Sequence, residues 1–155
     1  MTADSKWTIE FEVQADLLPA DIQKLHAAAE IAMRQYRERP ATITISIVDD
    51  AEMKKIHKQF LKKSSTTDVL SFDLSDTFQR KRVFALAVNA EMAVRQARQR
   101  GHSAEAELAL YITHGLLHHL GFDDDTPEHA RRMHRAEDTI LQKAGFGRVY
   151  FDSDL

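Results

Sequence analysis

Residues 104–120 are apolar on nearly every side of the helix their pattern predicts: Leu108, Ala109, Leu110, Tyr111, Ile112, Leu116, Leu117 and Leu120 leave no broad polar face. Such a helix belongs in the middle of a fold rather than on its surface. The rest of the chain must therefore cover it. His114 and His118 stand four residues apart within it, and positions i and i+4 lie one above the other on a helix face. Buried imidazoles without partners are costly, so the pair needs either a shared metal ion or carboxylate and backbone partners. Gly121 stops the helix, and Asp123, Asp124 and Asp125 follow at once. A turn there can swing a third donor back, as in a catalytic metal site with one open position.

The covering elements are legible from their periods. Trp7–Val13 alternates large and polar residues, as a half-buried strand does. Residues 20–37 carry Ile22, Leu25, Ala28, Ala29, Met33 and Tyr36 at helical spacing. Residues 42–48 alternate with β-branched side chains, a strand. Asp49 and Glu52 have capping-box spacing for a helix over 50–60. Residues 62–68 form a polar loop, and 69–72 and 83–88 are short strands joined by a polar connection over 75–82. Asn89 caps a helix over 90–100, Ser103 caps the apolar one, and Thr126-Pro127-Glu128 starts a last helix running to Lys143. The expected fold is α+β: one domain over residues 1–155, with a small mixed sheet of about four strands packed by helices and the His-bearing helix central.

With no cysteine among 155 residues, a transition-metal site has to use histidine and carboxylate. No apolar stretch approaches the roughly 20 residues of a membrane span. The first residues lack the basic and apolar segments of a secretion signal, so a cytoplasmic location is expected. The net charge of -3 argues against whole-molecule attraction to nucleic acid but leaves room for a local basic patch. Gly115 stands where metalloproteases of the H-E-x-x-H type carry their general base. The pattern therefore tilts from peptide cleavage toward another metal-assisted hydrolysis, in which an ion activates water and polarises a phosphoryl oxygen.

The run from His114-Gly115-Leu116-Leu117-His118 to Gly121-Phe122-Asp123-Asp124 resembles H-G-x-L-H-L-x-G-Y-D-H, the signature of the YbeY family of rRNA-maturation endoribonucleases. Thr67-Asp68-Val69-Leu70-Ser71-Phe72 resembles that family's P-T-D-V-L-S-F segment, with Thr66 in the proline place, and Asn89-Ala90-Glu91 is similar to a third region. The resemblance implies a zinc-dependent endoribonuclease that cuts single-stranded RNA in 16S rRNA 3′-end maturation and ribosome quality control. It implies small-subunit proteins or a ribosome-associated GTPase as partners, and leaves the oligomeric state open. It places the metal ligands and catalytic centre on His114, His118 and Asp124, the last where the family has histidine. A carboxylate is an acceptable ligand for Zn²⁺ and for other divalent ions, and Asp123 and Asp125 are alternatives.

A second departure is Leu61, where the family pattern Y-R-x-K-D has its arginine. Leucine cannot clamp a phosphate. The departures at 61 and 124 support an alternative, an RNA- or ribosome-binding module that keeps the fold with weakened catalysis. A metallopeptidase-like hydrolase is a third reading. Lys58, Lys62 and Lys63, with Lys54 and Lys55, and Arg80 and Arg82 around Lys81, are the candidate RNA contacts. They form either one face that tracks a phosphate backbone or two ordinary solvated stretches. Phe78 offers a stacking surface, and Asp68 caps or braces the loop. His119 sits about 100° round the helix from His118, away from any shared ion. On the last helix, His134 is expected to be exposed. Arg131, Arg132 and Arg135 are expected to form surface pairs with Glu128, Glu137 and Asp138.

Overall fold

The apolar helix takes the central place that its composition demands. The computed structural model describes residues 6–14, 21–36, 39–62, 65–76, 78, 81–147 and 149. Within them the order is β1 (Trp7–Val13), α1 (Ile22–Tyr36), β2 (Ala41–Val48), α2 (Asp50–Leu61), β3 (Val69–Asp73), β4 (Arg82–Asn89), α3 (Ala90–Arg100), α4 (Ala104–His119) and α5 (Pro127–Lys143). In α4, Leu108, Ile112, Leu116 and Leu117 have no exposed surface. Each such side chain stabilises the fold by about 1.5–3 kcal/mol relative to exposure.

The strands form one mixed sheet in the order β1-β2-β4-β3. β1, β2 and β4 run parallel, and β3 returns antiparallel to β4 at the edge. Side chains alternate between the two faces. Ile43, Ile45, Ile47, Phe84, Leu86 and Val88 join α1, α4 and α5 in the main core. The other face is smaller: Val48, Leu70 and Ala87 meet Met53 of α2, with Ile56 and Phe72 beside them. α2 and α4 therefore cover opposite faces of the sheet.

The expected caps form. Asp49, Asn89, Ser103 and Thr126 accept from the amides of Glu52, Met92, Ala106 and His129. α4 ends in a left-handed turn at Gly121 (φ 99°), where the Phe122 amide donates to the Leu117 carbonyl at 2.9 Å. This is a Schellman-type closure, and glycine takes its positive φ without a Cβ clash. The reversal sends residues 122–125 back over the end of α4. Among the described residues, no helix is long and apolar enough to cross a membrane.

Candidate metal centre

The helical spacing and the Gly121 turn converge on one point. His114 and His118 bring their Nε2 atoms within 3.2 Å of each other. Asp124 Oδ2 lies 3.8 Å from His114 Nε2 and 4.0 Å from His118 Nε2. Two ligands held at about 2.1 Å in tetrahedral array sit roughly 3.4 Å apart, so closing on an ion needs movements of only a few tenths of an ångström. The imidazoles are partly buried and Asp124 is half exposed, which leaves the site open on its aspartate side. Among the described residues this is the cluster of three whose ligand atoms, all within 4.8 Å, can hold a metal ion. The donor set of two imidazoles and a carboxylate suits a divalent transition metal.

Asp125 is turned elsewhere: its Oδ1 lies 2.6 Å from His129 Nδ1 on α5. That contact holds the Asp125 carboxyl below its usual pKa range. Asp123 borders a shallow cavity with Phe122, His129 and Arg132. Asp124 is thus the member of the trio that faces the imidazoles.

The surface expectation for α5 is corrected by Glu137, which has no exposed area. Its Oε2 lies 2.8 Å from His114 Nδ1, and its Oε1 lies 3.2 Å from Nδ1 of a half-buried His134. Burial acts to raise the Glu137 pKa, but the contacts with His114 and His134 outweigh it and hold the group ionised. Burial likewise acts against a charged His114, and Glu137, Asp68 and Asp124 outweigh it, so the His114 pKa is raised. In its neutral form, donating Nδ1–H to Glu137, His114 carries its lone pair on Nε2, the atom that faces Asp124 and His118, which is the tautomer a metal ligand needs. Sequence reading placed Glu137 among surface pairs because arginines surround it. The missed signal is that Met133, Ala136, Ile140 and Leu141 put position 137 inside the buried stripe of α5. Of the expected surface pairs, Arg132–Glu128 forms, at 3.8 Å.

His119 turns from the cluster, as expected, and stacks on Phe84 with ring centroids 4.2 Å apart. Burial lowers its pKa. Gly115 faces the sheet: a Cβ there would lie 3.0 Å from Leu86 Cδ2 and 3.2 Å from Val69 Cγ2. The position after His114 therefore has no room for a general-base glutamate without repacking.

The loop before β3 is tied down by a second network that sequence reading did not assemble. Asn89 Nδ2 donates to Asp50 Oδ1 at 2.7 Å and to Thr66 Oγ1 at 2.9 Å. Arg95 grips both Asp50 oxygens, at 2.7 and 3.0 Å. Asp68 braces the loop by accepting from the Val69 amide at 2.8 Å.

The basic residues do not share one face. Lys58 and Lys62 are exposed on α2 and at its left-handed end. Arg82 lies across the sheet on the α4 side, 4.9 Å over the Phe84 ring and 2.8 Å from Asp73. Of the two arrangements the sequence leaves open, the described residues form the second, because the sheet runs between the two groups. Lys63 and Arg80 lie outside the described residues.

A sequence model of the family described as Endoribonuclease YbeY matches residues 6–145. The chain belongs to this family. An Endoribonuclease YbeY of Aquifex aeolicus is 32% identical over 122 residues, 77% of this chain and 81% of its own length. One from Nocardioides sp. is 33% identical over 132 residues, 79% of this chain and 89% of its own length. One from Myxococcus xanthus is 36% identical over 107 residues, and this chain spans only 36% of that longer protein. The solution structure of TM1509 from Thermotoga maritima shares the fold, with TM-score 0.58 and 20% identity over 88% of this chain and 90% of that one. The α+β reading holds, with the mixed four-stranded sheet and central His-bearing helix as expected.

Proposed function

We propose that this chain is a metal-dependent endoribonuclease that cuts single-stranded RNA in rRNA processing, acting as one metallohydrolase domain over residues 1–155. The observation that carries this reading is the convergence of His114, His118 and Asp124 within 4.8 Å in a chain of the YbeY endoribonuclease family. Those three side chains are the ligands we assign, and Zn²⁺ is the metal their chemistry favours. A divalent ion bound there would acidify water and polarise a phosphoryl oxygen. With the ionised Glu137 accepting a hydrogen bond from Nδ1–H at 2.8 Å, neutral His114 carries its lone pair on Nε2. The Gly121 reversal places Asp124 opposite the imidazoles, and its half exposure keeps the aspartate side accessible to a phosphodiester.

The substrate we assign is rRNA, including the 16S 3′ end, with ribosome quality control as the setting. A small-subunit protein or a ribosome-associated GTPase would deliver the site to its RNA. The second reading, a binding module with weakened catalysis, draws on Leu61, which is solvent-exposed and apolar where the family pattern has arginine.

Incubating the purified protein with single-stranded RNA, with and without chelator, separates the two. Chelator-sensitive cleavage that is lost in His114→Ala supports the enzyme. Tight binding without cleavage in zinc-loaded protein supports the module.

A further inference from the structure

A cavity of about 230 Å³ lies between the end of α4 and the first turns of α5. Leu120, Gly121, Phe122 and Asp123 form one wall, and His129 and Arg132 form the other. The segment that forms the first wall runs directly into Asp124. Beyond Asp124 the chain is tied back to the second wall, where His129 Nδ1 lies 2.6 Å from Asp125 Oδ1. The candidate ligand Asp124 thus sits between one residue that lines the cavity and one that is bonded to its lining. A molecule in the cavity lies against the same loop that closes the metal cluster.

Size and lining narrow the occupant. The volume falls below the roughly 300–1,000 Å³ of sites for drug-sized ligands, so the cavity suits one planar ring rather than a helix or a folded peptide. Leu120 and Phe122 supply apolar surface, both partly buried. Phe122 is held by Tyr36, whose ring meets it edge-on with centroids 5.0 Å apart. Asp123, when ionised, only accepts hydrogen bonds, and Arg132 carries five N–H donors in a planar fork. The ion pair of Arg132 with Glu128 is long, at 3.8 Å, and both side chains are more than half exposed, so that pair holds the fork weakly. An apolar slot with a carboxylate acceptor and a guanidinium matches one nucleotide: the base against Leu120 and Phe122, its amino edge toward Asp123, a phosphate on Arg132. A base enters such a slot only when unpaired, because in a duplex its faces and its Watson–Crick edge are both engaged.

We propose that this cavity is a subsite for one unpaired, amino-bearing nucleotide beside the cleaved bond, with Asp123 reading the base and Arg132 holding its phosphate. This rests on the endoribonuclease reading and adds to it a base preference and a physical basis for choosing single strands.

The test is equilibrium binding of single-stranded oligocytidylate and oligouridylate to zinc-loaded wild type, Asp123→Ala, Arg132→Ala and Arg131→Ala. Cytosine offers an amino group where uracil has a carbonyl, so the wild type is expected to bind oligocytidylate about 5- to 10-fold more tightly. Asp123→Ala is expected to bring the two affinities within about 2-fold of each other. Arg132→Ala is expected to raise both Kd values by about 5- to 10-fold and to lower the slope of log Kd against log salt by about 0.7. Arg131→Ala removes an exposed arginine outside the cavity lining and is expected to change neither affinity nor slope. All three variants are expected to keep the zinc content of the wild type, which controls for folding. A wild type indifferent to the base, a preference that survives Asp123→Ala, or equal losses in Arg131→Ala and Arg132→Ala overturns the subsite and leaves the endoribonuclease reading standing. Wild type that neither binds nor cleaves single-stranded RNA sinks both.

Discussion

Glu137 Oε2 of α5 sits 2.8 Å from Nδ1 of His114 on α4, behind the face that His114 turns to His118 and Asp124. A fully buried carboxylate thus fixes the tautomer and orientation of a candidate ligand. Partners of this kind typically tune metal affinity by 10- to 100-fold. Glu137→Gln is expected to weaken metal binding by about that factor, read by competition with a chelator of known affinity. Affinity equal to wild type would remove Glu137 from the site.

Among the three aspartates of the α4–α5 turn, the geometry singles out one. Asp124→Ala should lose metal affinity, whereas Asp123→Ala and Asp125→Ala should keep it, since Asp125 is engaged with His129 at 2.6 Å. Asp124→His offers a third imidazole and should retain binding. Metal titrations of the four variants check this. Loss in Asp125→Ala with retention in Asp124→Ala would invert the assignment.

Gly115 lets α4 lie against β3 and β4. Gly115→Ala would set a Cβ 3.0 Å from Leu86 Cδ2, and Leu86 is itself buried in the core. Overpacking costs about 1–3 kcal/mol, partly offset by the better helix propensity of alanine, about 1 kcal/mol. A net loss of up to about 2 kcal/mol is expected in urea unfolding. An unchanged or raised midpoint would show that the packing has slack.

Much of this site was legible from local pattern. The α4 period placed His114 and His118 on one face, and Gly121 announced the reversal that returns Asp124. Glu137 was not read, because a lone acid among Arg131, Arg132 and Arg135 looks like a surface partner until the apolar spacing of α5 is given priority. The separation of Arg82 from the α2 lysines depends on strand order. β3 enters antiparallel at the edge although it precedes β4 in sequence, and which sheet face each helix covers is a tertiary fact that no short window encodes. The Asn89–Asp50–Arg95 network was hidden for the same reason: Asp50 and Arg95 are 45 residues apart.

That network predicts a pH dependence. Arg95 holds the Asp50 carboxyl well below its usual range, against the opposing effect of burial, and Asn89 and Thr66 add to the shift. A carboxylate whose pKa is depressed on folding stabilises fully above its unfolded value, about 3.9, and loses that contribution as pH falls through the folded value. Asp50→Asn should therefore cost about 1–3 kcal/mol at pH 7, with the difference from wild type shrinking below about pH 4. Urea unfolding of both proteins at pH 7 and pH 3 measures it. A constant difference would mean that the charge of Asp50 contributes nothing.

The most direct test of the metal centre is elemental analysis of the purified protein after dialysis against Zn²⁺ and removal of free ion. One zinc per chain is expected in the wild type and close to none in the His114→Ala, His118→Ala double variant, provided circular dichroism shows the variant folded. Equal zinc in both, or no zinc in the wild type, would contradict the assignment of His114, His118 and Asp124 as a metal site.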